Sequence, residues 1–541
     1  MVEITELSDA PPEPQLEERP AATLVKLFDG QTLPPLADPV VEVTRKLHDR
    51  RDQGTSLVAH SLLAALSDEH LAGIRAAALQ VGVERARYAI GAVLGLAVGD
   101  CMGASLEFLP ATDEPGESRW DHESFRVLNP NTHEKERGLL THGQFTDDTS
   151  MALCLADSLI ACDGLDCSDL RKRFWAWHAE GYNNCFRFDS GRAKRTSFGL
   201  GYNIAKSLLA LEPNVAPTPA YESQGSNDSG NGALMRLAPL PVYYSSHRVD
   251  VAEEAAAASA AATHPGALAA LTAAFLAFAL HRAINLPAEE RRCGARAFVL
   301  GVADEYAARL RRARRARARA TPTTASGTAS ALGTALGSAD DVDLVVSLLR
   351  CTAANCVETE AAWDWRSATS PPIVATLEAR GEKYNGHPVS RAYYGSYCMD
   401  CLALALFAVA STSSFEAAVG RAVNFLGDAD TVGAVAGQIA GAFYGETEID
   451  PRHLAALRKF ERGEICGRAC LCFLLGRQQA IRDGRRDGRL LPRVTGGSVA
   501  AWLVGLPQHR RLLLSRLLGA ALVGLFAVAA AVLFERKKWQ Y

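Results

Sequence analysis

The sequence lacks the parts of several common catalytic machines. It has no Walker or dinucleotide-binding glycine loop and no serine in a Gly-x-Ser-x-Gly elbow, which excludes nucleotide kinase and serine hydrolase readings. Thirteen cysteines are present, but Cys398-x-x-Cys401 and Cys466-x-x-x-Cys470-x-Cys472 have no second pair or histidines at zinc spacing. Small buried hydrophobes are the simpler reading of both groups. Nor does one sign of charge dominate: 57 Lys plus Arg stand against 61 Asp plus Glu, a net charge of −4. No specific nucleic-acid partner is predicted from that balance. The first residues, Met1 to Leu7, lack the basic start and apolar core of a signal peptide. A reducing, cytoplasmic setting follows as the expectation.

What is present is two short acidic clusters far apart, Thr146-Asp147-Asp148-Thr149 and Asp428-Ala429-Asp430-Thr431, each leading into an apolar run. Helix N-termini favour anions and offer unpaired N–H groups. In an extended lead-in, Asp428 and Asp430 fall on one side and can reach one ion together. Four carboxylates brought within several Å repel or take up protons unless cations neutralise them. Oxygen donors without His or Cys suit magnesium, manganese or calcium. An EF-hand fails because Val432 and Ile439 stand where that loop needs oxygen donors. The plainer alternative is that the aspartates only cap helices.

Two glycine stripes share the helical period: Gly91, Gly95, Gly99, Gly103 and Gly433, Gly437, Gly441, Gly445. Each glycine weakens a helix by about 1 kcal/mol relative to alanine, so the stripes need a reason, and close helix packing supplies one. The first stripe would deliver Asp100 and Glu107 near its end.

Five segments occur in one order: GAVLGLAVGD from Gly91 to Asp100, GQFTDDTSMAL from Gly143, SGNGALMR from Ser229 to Arg236, Thr263-His264-Pro265, and GDADTVG from Gly427. Together they resemble the ADP-ribosylglycohydrolases, including the dinitrogenase-reductase-activating type, from Arg85 to Arg477. The resemblance implies an all-α, orthogonally packed domain with two magnesium or manganese ions in a cleft. It implies Thr146, Asp147, Asp148, Asp428, Asp430 and Thr431 as metal ligands. Glu107, Asp147 and Asp148 are the implied catalytic residues. Ser229, Gly230, Asn231 and Gly232 match a loop that wraps the substrate's diphosphate, and His264 matches a pocket position; a cap or core histidine is its plainer alternative. The implied reaction is metal-dependent hydrolysis of the bond between ADP-ribose and a protein side chain, or a related conjugate, by a monomeric domain. A catalytically silent, membrane-tethered ADP-ribose binder or scaffold of the same fold is the alternative.

Around this core, 85–477, the composition suggests an acidic, proline-rich disordered tail at 1–38 and a helical extension at 39–84. An Arg-rich, low-complexity insertion spans 309–340; it is either a site for phosphate-rich partners or a solvated helix end. A linker at 478–513 leads to a candidate transmembrane tail at 514–536. There Leu517 to Phe534 carry no charge and are flanked by Arg510, Arg511, Arg516, Arg536, Lys537 and Lys538. An Ala-rich helix buried on the core is the other reading of that run. A tail anchor would leave the core facing the cytosol.

Overall fold

The computed structural model describes residues 61–114, 140–189, 199–208, 215–221, 228–319, 338–352, 362–381 and 392–486, together with Leu36, Asp38, Val40, Val43, Ser197 and Leu211. The chain divides into the units Met1–Ala480 and Ile481–Tyr541. The second is described only through Arg486, so the candidate membrane tail at 514–536 and most of the preceding linker lie outside the described residues. So do most of the 1–38 tail and the centre of the 309–340 insertion.

The longer helices are α1 (Asp68–Gly103), α2 (Asp147–Cys162), α3 (Cys167–Glu180), α4 (Val249–Ala261), α5 (Ala267–Ile284), α6 (Gly294–Arg319), α7 (Ala339–Arg350), α8 (Ile373–Arg380), α9 (Cys398–Ala410), α10 (Phe415–Val423), α11 (Ala429–Tyr444), α12 (Pro451–Glu461) and α13 (Glu464–Arg486). No strand occurs among the described residues, where a lone bridge joins Gly230 and Tyr397. The all-α expectation holds. Helix α5 is long and apolar enough by composition to cross a membrane, but 89% of it is buried within the protein, against α4 on one side.

The most extensive packing joins α1 to α11. The two glycine stripes meet each other in antiparallel register. A Cβ built on Gly91 would lie 2.3 Å from Gly441 O, on Gly95 2.2 Å from Gly437 O, and on Gly99 2.0 Å from Gly433 O. Helices that touch backbone to backbone exclude every side chain but hydrogen at these positions. The weak intrinsic propensity of glycine is thereby offset by close packing, and the acidic ends of both helices arrive side by side.

Helix α1 starts on a capping box, with Ser67 Oγ accepting from His70 N and Asp68 and Glu69 in the first turn. Its regular geometry breaks once, at Gly82, whose φ of 179° is extended. Two helical stretches therefore meet at a kink close to the expected boundary between the 39–84 extension and the 85–477 core. Helix α13 is fixed to α2 by a buried ionic knot. Arg468 donates to Asp157 at 2.7 Å and to Glu464 at 2.8 Å, and Asp157 also accepts from Tyr182 and Asn183. Arg187 and Arg468 hold Glu464 down to about 2 despite its burial. Asp38 reaches the same region, pairing with the buried Arg173 at 2.9 Å. The arginine run extends α6 into solvent; Arg311, Arg312 and Arg315 are exposed, while Arg309 and Arg314 pair with Glu253 and Asp343. All twelve described cysteines are free, and Cys398, Cys401, Cys470 and Cys472 are buried in the core.

Candidate active site

Helix α1 ends at the acid cluster, and Asp100 organises it. Its carboxylate accepts from Thr146 N at 3.0 Å, Thr146 Oγ1 at 2.9 Å, Thr149 N at 2.9 Å and Thr149 Oγ1 at 2.6 Å. These are the donors that a helix start leaves unpaired, so Asp100 from α1 caps α2 from outside. Thr146 Oγ1 also lies 3.0 Å from Asp148 Oδ2 and 3.3 Å from Asp430 Oδ2.

Opposite, Leu426 and Gly427 take positive φ and turn the chain into α11. Gly427 must be glycine, since a Cβ there would meet Tyr394 O at 2.4 Å. The turn is clamped by Phe108 N donating to Gly427 O at 2.8 Å and Gly427 N donating to Leu109 O at 2.9 Å. That clamp sets Glu107 beside Asp428 and Asp430. Asp428 Oδ2 accepts from Asn231 Nδ2 at 2.8 Å, and the Thr431 and Tyr393 side chains also hydrogen-bond Asp428.

Two sets of three carboxylates result, each with ligand oxygens within 4.8 Å of one another: Asp100, Asp148 and Asp430, and Glu107, Asp428 and Asp430. Asp430 belongs to both. Asp100, Asp148, Asp428 and Asp430 are all at least 95% buried, and none of the four makes an ion pair among the described residues. Burial first, then the charges of Asp100, Asp147 and Asp428, push Asp148 well above the usual carboxylate range. Burial first, then Glu107, Asp148, Asp428 and Asp100, does the same for Asp430. Burial also raises Asp100 and Asp428, against the hydrogen bonds they accept. Asp148 Oδ1 is buried without any hydrogen-bond partner. An arrangement of acceptor oxygens with one orphaned lone-pair set and no counter-charge fits hard divalent cations.

Asp147 belongs to neither three-acid set. It lies against Gly199, where a Cβ would come 2.1 Å from Asp147 Oδ1. The 229–232 loop stands on the Asp428 side. Ser229 O accepts from Cys398 N, Gly230 bridges Tyr397, and Asn231 N donates to Ser396 O. His264 is 2% exposed and packs under the loop; a Cβ on Gly232 would meet its Cε1 at 2.8 Å. Burial and the Arg236 charge hold the imidazole well below its usual range, so it is neutral.

A family model described as ADP-ribosylglycohydrolase matches residues 83–481. The chain belongs to the ADP-ribosylglycohydrolase family. It is 26% identical over 363 residues to the ADP-ribosylarginine hydrolase Tri1 of Pseudomonas putida (strain GB-1), covering 67% of this chain and 71% of that protein. Similarity to the ADP-ribosyl-[dinitrogen reductase] glycohydrolase of Rhodospirillum rubrum is 31% over 163 residues, covering 30% of this chain and 47% of that one. The human ADP-ribosylhydrolase ARH3 shares 31% over 197 residues, 36% of this chain and 49% of that one. At the family level the activity is hydrolysis of ADP-ribose conjugates.

Within this ADP-ribosylglycohydrolase site, the sequence placed Asp100 near the end of the first glycine stripe but gave it no role. The signal available was its place one residue after Gly99 in the stripe. Tyr393, which hydrogen-bonds Asp428 and stacks on Phe108 at 5.1 Å, had no signal in the sequence. Arg236 stood in the SGNGALMR segment without a function; the fold buries it completely, with Nη1 donating to Gly232 O at 2.6 Å.

Proposed function

We propose that this chain is a divalent-metal-dependent hydrolase that cleaves ADP-ribose from a modified protein side chain. The observation that carries the reading is the convergence of Asp148, Asp428 and Asp430 from two helix starts nearly three hundred positions apart, buried without a counter-charge and with Asp148 Oδ1 unpartnered. Thr146, Asp148, Asp428, Asp430 and Thr431 would hold two magnesium or manganese ions, Asp430 being the acid common to both three-acid sets; Asp147, which lies outside both sets, is kept as a sixth ligand on the family resemblance alone. Bound cations would supply positive charge that orients a sugar diol and activates water.

The protein's own groups do the rest. Glu107, less buried than the aspartates and within 4.8 Å of Asp428 and Asp430, is placed to orient or deprotonate a water approaching the anomeric carbon. Cleavage of that bond has oxocarbenium character, so fixing the ribose and the water contributes most. Asn231 holds Asp428 in place, and the glycines of the Ser229 to Gly232 loop would let a diphosphate approach the backbone closely. The acceptor we favour is arginine, because a relative aligned over two thirds of this chain carries that activity in its name. The Leu517–Phe534 run would tether the enzyme to a membrane. Its test is carbonate extraction, where release of intact protein would remove the tether from the proposal.

The deciding assay is release of ADP-ribose from ADP-ribosyl-arginine and ADP-ribosyl-serine peptides, with and without magnesium. Turnover that needs the metal supports the proposal. Metal-independent turnover, or none on any ADP-ribose conjugate, refutes it.

A further inference from the structure

Behind the glycine loop, three side chains form a hydrogen-bond chain whose direction follows from where the Thr263 hydroxyl proton can go. Arg236 is fully buried, and its Nη2 lies 2.7 Å from Thr263 Oγ1. A guanidinium carries donors only, so Thr263 Oγ1 accepts here. The hydroxyl's own proton then has one neighbour among the described residues, His264 Nδ1 at 2.8 Å. An Nδ1–H donating to the second lone pair of Oγ1 would strand the hydroxyl proton of the fully buried Thr263, so the geometry favours Nδ1 as the acceptor and, in a neutral ring, the proton on Nε2. Nε2 makes no hydrogen bond to the described residues and faces the loop; a Cβ would lie 3.4 Å from it at Gly230 and 3.0 Å at Gly232. A side chain 98% buried thus keeps an unspent donor directed at the two glycines.

We propose that Arg236, acting through Thr263, is a positioning residue that locks His264 as the Nε2–H tautomer and so presets it as a hydrogen-bond donor to an anionic phosphate oxygen over the 229–232 loop. The donor role rests on the reading of that loop as a diphosphate site; the tautomer does not. A donor of fixed direction selects an oxygen that can only accept, and it disfavours a ligand hydroxyl that would have to donate there.

The tautomer is read directly by long-range proton–nitrogen correlation spectra of full-length protein labelled with ¹⁵N-histidine, with His264→Gln identifying the signal. The wild type is expected to show a protonated Nε2 and a bare Nδ1 between about pH 6 and 8. Thr263→Val removes the relaying hydroxyl and is expected to shift His264 towards the other tautomer and weaken ADP-ribose binding by about tenfold. Thr263→Ser keeps the hydroxyl and is expected to restore both. A wild-type spectrum with the proton on Nδ1, or an unchanged pattern in Thr263→Val, overturns the relay. If Thr263→Val does not fold, the wild-type and Thr263→Ser spectra still decide it. An Nε2–H signal that does not respond to saturating ADP-ribose overturns the donor role, while the relay itself stands.

Discussion

Gly437→Ala is a severe test of the α1–α11 contact, because textual propensity and packing predict opposite signs. In isolation the change favours the helix by about 1 kcal/mol. In the fold the new Cβ would stand 2.0 Å from Gly95 O and 2.7 Å from Gly95 C, both backbone atoms of a rigid neighbour. Contact distances near 3.5 Å require the helices to separate by about 1 Å or more, against well-packed surroundings. Overpacking of this kind costs about 1–3 kcal/mol or more, and separation also opens gaps along the rest of the stripe. A net loss of about 2 kcal/mol follows. The matched control is Gly301→Ala on α6, exposed and with nothing within 4 Å of its would-be Cβ, which should gain up to about 1 kcal/mol. Chemical denaturation of the two variants beside the wild type measures both. If Gly437→Ala were as stable as the wild type, the backbone contact between the stripes would not exist in solution. Gly99→Ala adds a functional reading, since it sits next to Asp100 with its Cβ 2.0 Å from Gly433 O. Displacing the acids by about 1 Å should lower kcat/KM by about 100-fold, beyond any loss of folded protein.

Three further outcomes are expected. Asp428→Asn combined with Asp430→Asn should abolish hydrolysis yet raise the melting temperature of metal-free protein, because it relieves like charge in a buried cluster; a lower melting temperature there would count against the electrostatic picture. The stabilisation given by manganese, read as the difference in melting temperature with and without it, should grow from about pH 5 to pH 8. Burial and the neighbouring acids push Asp148 and Asp430 well above the usual carboxylate range, so protons compete with the cation increasingly as the pH falls; a pH-independent difference would contradict the assignment. Asp157→Ala should cost about 3 kcal/mol by leaving the buried Arg468 with Glu464 as its remaining ion partner and by removing the acceptor of Tyr182 and Asn183, and a loss under about 1 kcal/mol in urea unfolding would show that water reaches the knot.

Much of the architecture was readable because helical periodicity and the glycine interval are local patterns. Gly91 to Gly103 and Gly433 to Gly445 announced two closely approached helices, and the structure pairs them with each other. The acids of the site were legible as residue types next to helix starts. Their division of labour was not. Asp147 and Asp148 are neighbours in sequence, but successive residues on a helix point about 100° apart, so Asp148 faces Asp100 and Asp430 while Asp147 faces Gly199. The function of Asp100 depends on Thr146 and Thr149, 46 and 49 positions away, and that of Arg236 on Thr263, 27 positions away. Such partners are set by tertiary packing alone, and no spacing rule reveals them.

The antiparallel glycine contact also fixes when function can first appear. Its two halves are separated by more than three hundred positions, so the loop between them must close before either row has anything to lie against. A chain cut short before the second row would retain Asp100, Asp148 and the 229–232 loop yet hold no complete cluster. Chains that stop short of the second row are therefore expected to be inert, and the centre can form only after that row has been made.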